Sequence, residues 1–199
     1  MKKFFLFSIL ALLAVTALQI SVTSGRTAQK QAVEAESGGA QIGGDFTLTD
    51  QNGKTVHAAD YHGRIALVFF GFSHCPEICP VTLGTVTKAM EQLGPLADQV
   101  VPIFISIDPE NDSPAVLKDF LANFDKRMVG LTGTPEQIKQ VAEAYKAYYS
   151  HPATPGAADY DIDHSAYIYM MGKDGKYMRL FPYDANAQDI AHALTNALH

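Results

Sequence analysis

The sequence predicts a single three-layer α/β domain, with helices on both faces of a sheet whose middle strands are buried. Two observations carry that prediction. The runs Ile65-Ala66-Leu67-Val68-Phe69-Phe70-Gly71 and Val100-Val101-Pro102-Ile103-Phe104-Ile105-Ser106-Ile107 are almost wholly apolar, as strands covered on both faces are. Each is followed by turn residues and then by apolar residues at helical spacing, which makes consecutive β-α-β passages. The chain has 199 residues, 47% hydrophobic and 18% charged, enough for one core and without sign of a second domain. Its net charge of −6 and scattered Lys and Arg exclude a polyanion-binding stripe, so no nucleic-acid partner is expected.

The N-terminus stands apart from that domain. Lys2 and Lys3 precede an apolar run from Phe4 to Ile20, broken only by Ser8, Thr16 and Gln19. Residues 1–22 therefore read as a membrane anchor or signal segment. The run is longer than the ~7–15 residues of a signal-peptide core and at the low edge of a spanning helix, and no Ala-x-Ala site follows, which favours a retained anchor. Positive charge ahead of the run places the N-terminus inside a bacterial-type inner membrane and the domain in the periplasm. No cysteine lies near residue 20, so lipid attachment there is excluded. Residues 23–43, rich in Ser, Thr, Gln, Glu, Ala and Gly, read as a flexible linker, and residues 44–199 as the domain.

Within the domain, Phe46-Thr47-Leu48-Thr49 alternates, Asp50-Gln51-Asn52-Gly53 turns and Lys54–His57 returns, a small hairpin. A helix is expected from Pro80 to Leu93, with Leu83, Val86, Met90 and Leu93 on one face and Gly94-Pro95 as its stop. Ser113 and Pro114 supply the cap and first position of a helix reaching about Asn123. Met128–Leu131 reads as a short strand. Thr134-Pro135 opens a helix expected to run to about Tyr149. The loop from Ser150 to Asp163 has the length of a functional loop. Ala166–Met171 and Lys176–Phe181 form a hairpin about Gly172-Lys173-Asp174-Gly175, and Asn186–Leu198 closes the chain as a helix. In this order the elements describe a thioredoxin-like three-layer α/β domain with an added N-terminal β-hairpin.

The chain's two cysteines, Cys75 and Cys79, lie at the junction of the first long strand and the following helix, where α/β sheets place their sites. Each is followed by proline, which disfavours the α region and predicts that both sit in a loop ahead of a helix opening at Pro80. The helix dipole there is expected to lower the Cys79 pKa. A structural disulfide across so short a loop would remove little unfolded-chain entropy, so a chemical role is favoured. Outside the cytoplasm a free pair tends to oxidise unless a reductant or metal holds it. Cys-x3-Cys leaves more room for a metal than Cys-x2-Cys, and a third ligand is then wanted. His164, at the end of the long loop and the mouth of a strand, is the candidate; a surface or capping histidine is the alternative. Two thiolates and an imidazole suit copper in either oxidation state, and serve zinc less well. Asp163 is a candidate to orient His164, or a turn residue; Asp108-Pro109 is either site-related or a strand end. His74 is a solvated loop residue or a transient ligand, and Met170, Met171 and Met178 are hairpin residues over the core rather than a soft-metal relay.

The blocks Gly71-Phe72-Ser73-His74-Cys75-Pro76-Glu77-Ile78-Cys79-Pro80, Ser106-Ile107-Asp108-Pro109-Glu110-Asn111-Asp112-Ser113-Pro114 and Tyr160-Asp161-Ile162-Asp163-His164-Ser165 closely resemble the Sco/SenC family of copper-binding proteins. The resemblance implies a membrane-anchored copper chaperone, not an enzyme, that helps assemble the binuclear copper centre of a respiratory cytochrome c oxidase. It implies Cys75, Cys79 and His164 as ligands of copper(I) or copper(II). The implied partners are the copper-receiving oxidase subunit and, behind it, another copper chaperone or a thioredoxin-like reductant. The alternative function is an extracytoplasmic thiol–disulfide reductase, with Cys75 and Cys79 as its redox pair and catalytic residues, that keeps the receiving protein's cysteines reduced. A peroxidase is disfavoured because the Pro-x3-Thr-x2-Cys pattern of peroxiredoxins is absent.

Overall fold

The computed structural model describes residues 42–150 and 162–199; the expected anchor, nearly all of the expected linker and most of the loop before Asp163 lie outside them. The strands are β1 (Thr47–Asp50), β2 (Thr55–His57), β3 (Ile65–Gly71), β4 (Val100–Ser106), β5 (Val129–Thr132), β6 (Tyr149–Ser150), β7 (Asp163–His164), β8 (Tyr167–Met171) and β9 (Tyr177–Pro182). The α-helices are α1 (Ile78–Leu93), α2 (Pro114–Leu121), α3 (Pro135–Tyr145) and α4 (Ala187–Leu198). Seven strands form one sheet in the order β2-β1-β5-β4-β3-β8-β9, while β6 and β7 pair separately. Strands β3, β4 and β5 are parallel, as the β-α-β passages require, and the flanking pairs are antiparallel. The expected three-layer domain with its N-terminal hairpin is present.

The apolar run of β3 is sorted by the two-residue period of a strand. Ile65, Leu67 and Phe69 face a core shared with α1, α2 and α4. Ala66, Val68 and Phe70 face the opposite core, closed by Ile138, Val141, Ala142 and Tyr145 of α3. Phe69, Phe70, Phe72 and Phe104 are at most 1% exposed, and each buried phenylalanine contributes about 1.5–3 kcal/mol. Met170 and Met171 belong to these cores, at 2% exposure each, whereas Met178 on the edge strand is exposed. The outer strands β2 and β9 leave the functional end of the sheet to β3, β4 and the start of β8.

Several caps follow the sequence directly. Ser113 Oγ accepts the Val116 N–H at the start of α2, and Thr134 with Gln137 forms a reciprocal capping box on α3. Asn186 Oδ1 accepts the Asp189 N–H at 2.8 Å on α4. Two expectations are corrected. Helix α1 opens at Ile78 rather than Pro80, so Cys79 lies inside its first turn. A following proline biases the preceding residue away from helix without forbidding it, and a proline in the first turn sacrifices an N–H that has no intrahelical partner there. Helix α3 ends at Tyr145 rather than about Tyr149. Its apolar spacing runs on through Tyr148 and Tyr149, so periodicity conceals the stop. Lys146 turns into the left-handed region with φ 57°, the Ala147 N–H returns to the Ala142 carbonyl, and Tyr149–Ser150 pairs with Asp163–His164.

Lys146 pays the steric cost that a Cβ meets in the left-handed region, and glycine does not. Lys146→Gly is expected to stabilise the domain by about 1 kcal/mol, read as a higher urea midpoint at unchanged slope.

Candidate metal centre

Three stretches distant in sequence meet at the C-terminal end of β3. The strand ends in Gly71, and a Cβ there would lie 2.6 Å from Cys79 Sγ and 3.0 Å from the Phe104 ring, so the glycine makes room for the sulfur. The chain turns through Phe72–Ser73–His74, with the Cys75 N–H donating to the Phe72 carbonyl, and enters α1. Glu77, the residue before α1, offers no side-chain cap. The Cys75 sulfur takes that place, accepting the Cys79 N–H at 3.3 Å. Cys79 is buried at 0% exposure beneath it, and Cys75 is partly exposed; both are free thiols.

His164 reaches the pair from β7, which is held opposite Tyr149. Its Nε2 lies 3.8 Å from Cys79 Sγ. Its Nδ1 lies 3.2 Å from the Ser165 backbone oxygen, which can only accept, so Nδ1 carries the proton and Nε2 presents its lone pair to the sulfurs. Phe69 and Phe72 pack against the ring edge-on at 6.2 and 6.0 Å and set its plane. The ligand atoms of Cys75, Cys79 and His164 all lie within 4.8 Å of one another. Three ligands with bonds of about 2.0–2.3 Å to one ion stand about 3.5–4.0 Å apart, so the trio closes on an ion by moving about 1 Å or less.

The two thiols are electrostatically unequal. Cys75 is held down to about 4, first by the hydrogen bond from the Cys79 thiol and then by the N–H groups of Cys79 and Glu77, against an opposing contribution from burial. Cys79 is pushed up by that same hydrogen bond, by burial and by the neighbouring Cys75 charge. This corrects the expectation from sequence: the helix start stabilises the thiolate of Cys75, the outer cysteine, while Cys79 keeps its proton. The surrounding loops 71–77, 106–114 and 162–167 contain Glu77, Asp108, Glu110, Asp112 and Asp163 and neither Lys nor Arg, a local field that favours an approaching cation.

The remaining candidates fall outside the trio. Asp163 is exposed on β7 opposite Ser150, and the Nδ1 of His164 is taken by the Ser165 carbonyl. Asp108 is buried, and both its carboxylate oxygens accept from Asn111 Nδ2 at 3.1 and 3.0 Å, which ties the turn after β4. The sequence reading passed over Asp112. At 0% exposure its carboxylate accepts from the Ser73 N–H at 3.0 Å, the Ser73 hydroxyl at 2.5 Å and the Ser106 hydroxyl at 2.6 Å. It thereby joins the loop after β4 to the cysteine loop. Only a buried carboxylate between two serines signals this, and its neighbours are separated by tens of residues.

A buried thiol, an activated outer thiol and an oriented imidazole on a thioredoxin-like scaffold define a protein of thiol and soft-metal chemistry. The family model SCO1/SenC matches residues 34–199, and the chain belongs to that family. It is 38% identical over 157 residues to the SCO2-like protein of Rickettsia prowazekii, covering 78% of this chain and 77% of that one. The copper-bound structure of ScoI from Bradyrhizobium japonicum is similar with a TM-score of 0.73 at 40% identity, over 78% of this chain and 99% of the other. BsSco, described as a member of the Sco family of cytochrome c oxidase assembly proteins with a disulfide switch, matches with a TM-score of 0.64 at 28% identity, over 79% and 94% of the two chains.

Two outcomes test this geometry. Gly71→Ala is expected to destabilise the domain by about 1–3 kcal/mol, because the added methyl displaces Cys79 Sγ or the Phe69 and Phe104 rings; chemical denaturation reads it. In the reduced protein, iodoacetamide should modify Cys75 at a rate nearly independent of pH from 6 to 8, falling as pH drops through about 4 and the thiolate protonates. An ordinary thiol would instead lose about tenfold in rate per pH unit over the upper range.

Proposed function

We propose that the protein is a copper chaperone that binds copper through Cys75, Cys79 and His164 and delivers it to the binuclear copper site of a respiratory cytochrome c oxidase. The observation that carries this reading is the convergence of two sulfurs and the lone pair of an imidazole within 4.8 Å. Family membership and the copper-bound relative support it. Copper is the cargo. Cys75 receives it as a preformed thiolate, the Cys79 thiol releases its proton as its sulfur joins, and His164 completes a three-ligand set. Two soft thiolates and an imidazole hold copper firmly and leave a side open for a ligand of the receiving subunit. Delivery takes place in the periplasm, with the Phe4–Ile20 segment as the inner-membrane anchor and residues 23–43 as the tether. Another copper chaperone supplies the ion, and a thioredoxin-like reductant returns the cysteines to thiols.

A second reading has its own support. An outer cysteine held as a thiolate beside a buried partner is the arrangement of a thiol–disulfide reductase, which would keep the receiving protein's cysteines reduced. His164 separates the two, since copper binding uses it and disulfide exchange does not. His164→Ala is expected to weaken copper binding at least tenfold and to bleach the thiolate-to-copper(II) charge-transfer band, while Cys75 and Cys79 still cycle between thiols and disulfide. Retained oxidase assembly in cells carrying this variant would establish the reductase reading instead.

A further inference from the structure

A hydrogen-bonded chain that the trio of Cys75, Cys79 and His164 does not use leads from the buried Asp112 to the residue before Cys75. The buried Asp112 carboxylate accepts the hydroxyl proton of Ser73 at 2.5 Å. That hydroxyl has one proton, and Asp112 holds it. The 2.9 Å contact between Ser73 Oγ and His74 Nδ1 is therefore a bond donated by the histidine. The imidazole of His74 is fixed with its proton on Nδ1 and a free lone pair on Nε2, although the ring itself is exposed. An exposed histidine with no task samples both tautomers and many rotamers. A ring oriented through its other nitrogen by a carboxylate-backed donor–acceptor chain is the arrangement that metal-binding histidines use. Asp112 is itself anchored by the Ser106 hydroxyl and the Ser73 N–H, so the chain's inner end cannot drift.

We propose that His74 Nε2 is the entry and exit ligand for copper, held ready by Ser73 and Asp112 as positioning residues. The inference rests on the chaperone reading. Copper(I) keeps its oxidation state throughout: a bond to the donor breaks as the His74 Nε2–copper bond forms, and that bond breaks in turn as the ion passes to the Cys75 thiolate one residue away. The proton displaced from Cys79 goes to water, and release runs the same exchange backwards. Because a way station lowers the barrier in both directions, its loss slows uptake and release together.

The test uses the full reduced chain and the copper(I)–bathocuproine disulfonate complex as donor, with the free chelator as acceptor, followed by stopped-flow absorbance. His74→Ala is expected to slow both directions about tenfold, and Ser73→Ala to slow both by a smaller factor. Independently of copper, nitrogen-15 spectra of the His74 ring should show the Nδ1–H tautomer in the parent protein and a mixture in Ser73→Ala and Asp112→Asn. Unchanged exchange rates in His74→Ala, or a mixed tautomer in the parent, would overturn the proposal. A selective loss of affinity through faster release would also overturn it, by making His74 a resident ligand. A parent protein that takes up no copper at all would instead sink the chaperone reading on which this one rests.

Discussion

The Cys75 sulfur standing over the first turn of α1 is the interaction on which the site depends. A helix start leaves N–H groups without intrahelical partners, and here no serine, threonine or aspartate side chain meets them. The sulfur accepts from the Cys79 thiol and, beside it, from the Cys79 N–H, and so becomes the better anion of the pair. Placement of that sulfur follows from the sheet. Strand β3 is buried on both faces and fixed by β4 and β8, so its end is a rigid point, and Gly71 at that point leaves the space that Cys79 fills. A side chain at residue 71 would crowd the inner sulfur and the Phe69 and Phe104 rings.

The same rigidity is extended to the loops by groups outside the trio. Asp112 draws the cysteine loop against the loop after β4, and Asp108 with Asn111 stiffens that second loop in turn. Removing the Asp112 carboxylate would strand the buried Ser106 hydroxyl, at a cost of about 1–3 kcal/mol, and leave the half-buried Ser73 N–H and hydroxyl without their acceptor. His164 is held by different means. Its strand is only two residues long, so the ring depends on Phe69, Phe72 and the Ser165 carbonyl for orientation. The cysteines thus sit on the stable side of the site and the histidine on its more yielding side.

Much of this was legible in the sequence, and the reasons differ by element. Buried strands announce themselves by continuous apolar runs, and Ser113, Thr134 and Asn186 mark helix starts because their chemistry is local. The convergence of Cys75, Cys79 and His164 was accessible once the order of elements implied which strand borders the cysteine loop. What misled was equally physical. Proline after Cys79 argued for a loop, yet the first turn of a helix tolerates it, and the helix claimed two more residues. The end of α3 was hidden because Tyr148 and Tyr149 continue its spacing, while the pairing that stops it involves residues beyond a long loop. The charge of the two thiols could not be read from sequence at all. It turns on which thiol donates to the other and which is buried, a matter of a few ångströms.

That inequality bears on what the site can hold. Two equally acidic thiolates packed together would repel each other when the site is empty and would suit a divalent ion wanting four ligands. One thiolate beside one thiol kept protonated by its hydrogen bond to Cys75 and by burial gives the pair a modest charge. Soft three-ligand binding is served by such a set, whereas structural zinc sites close with a fourth protein ligand, and among the described residues only three side chains form the group. The three groups are held by unlike supports: two by the end of the sheet and the first turn of a helix, the third by a strand of two residues.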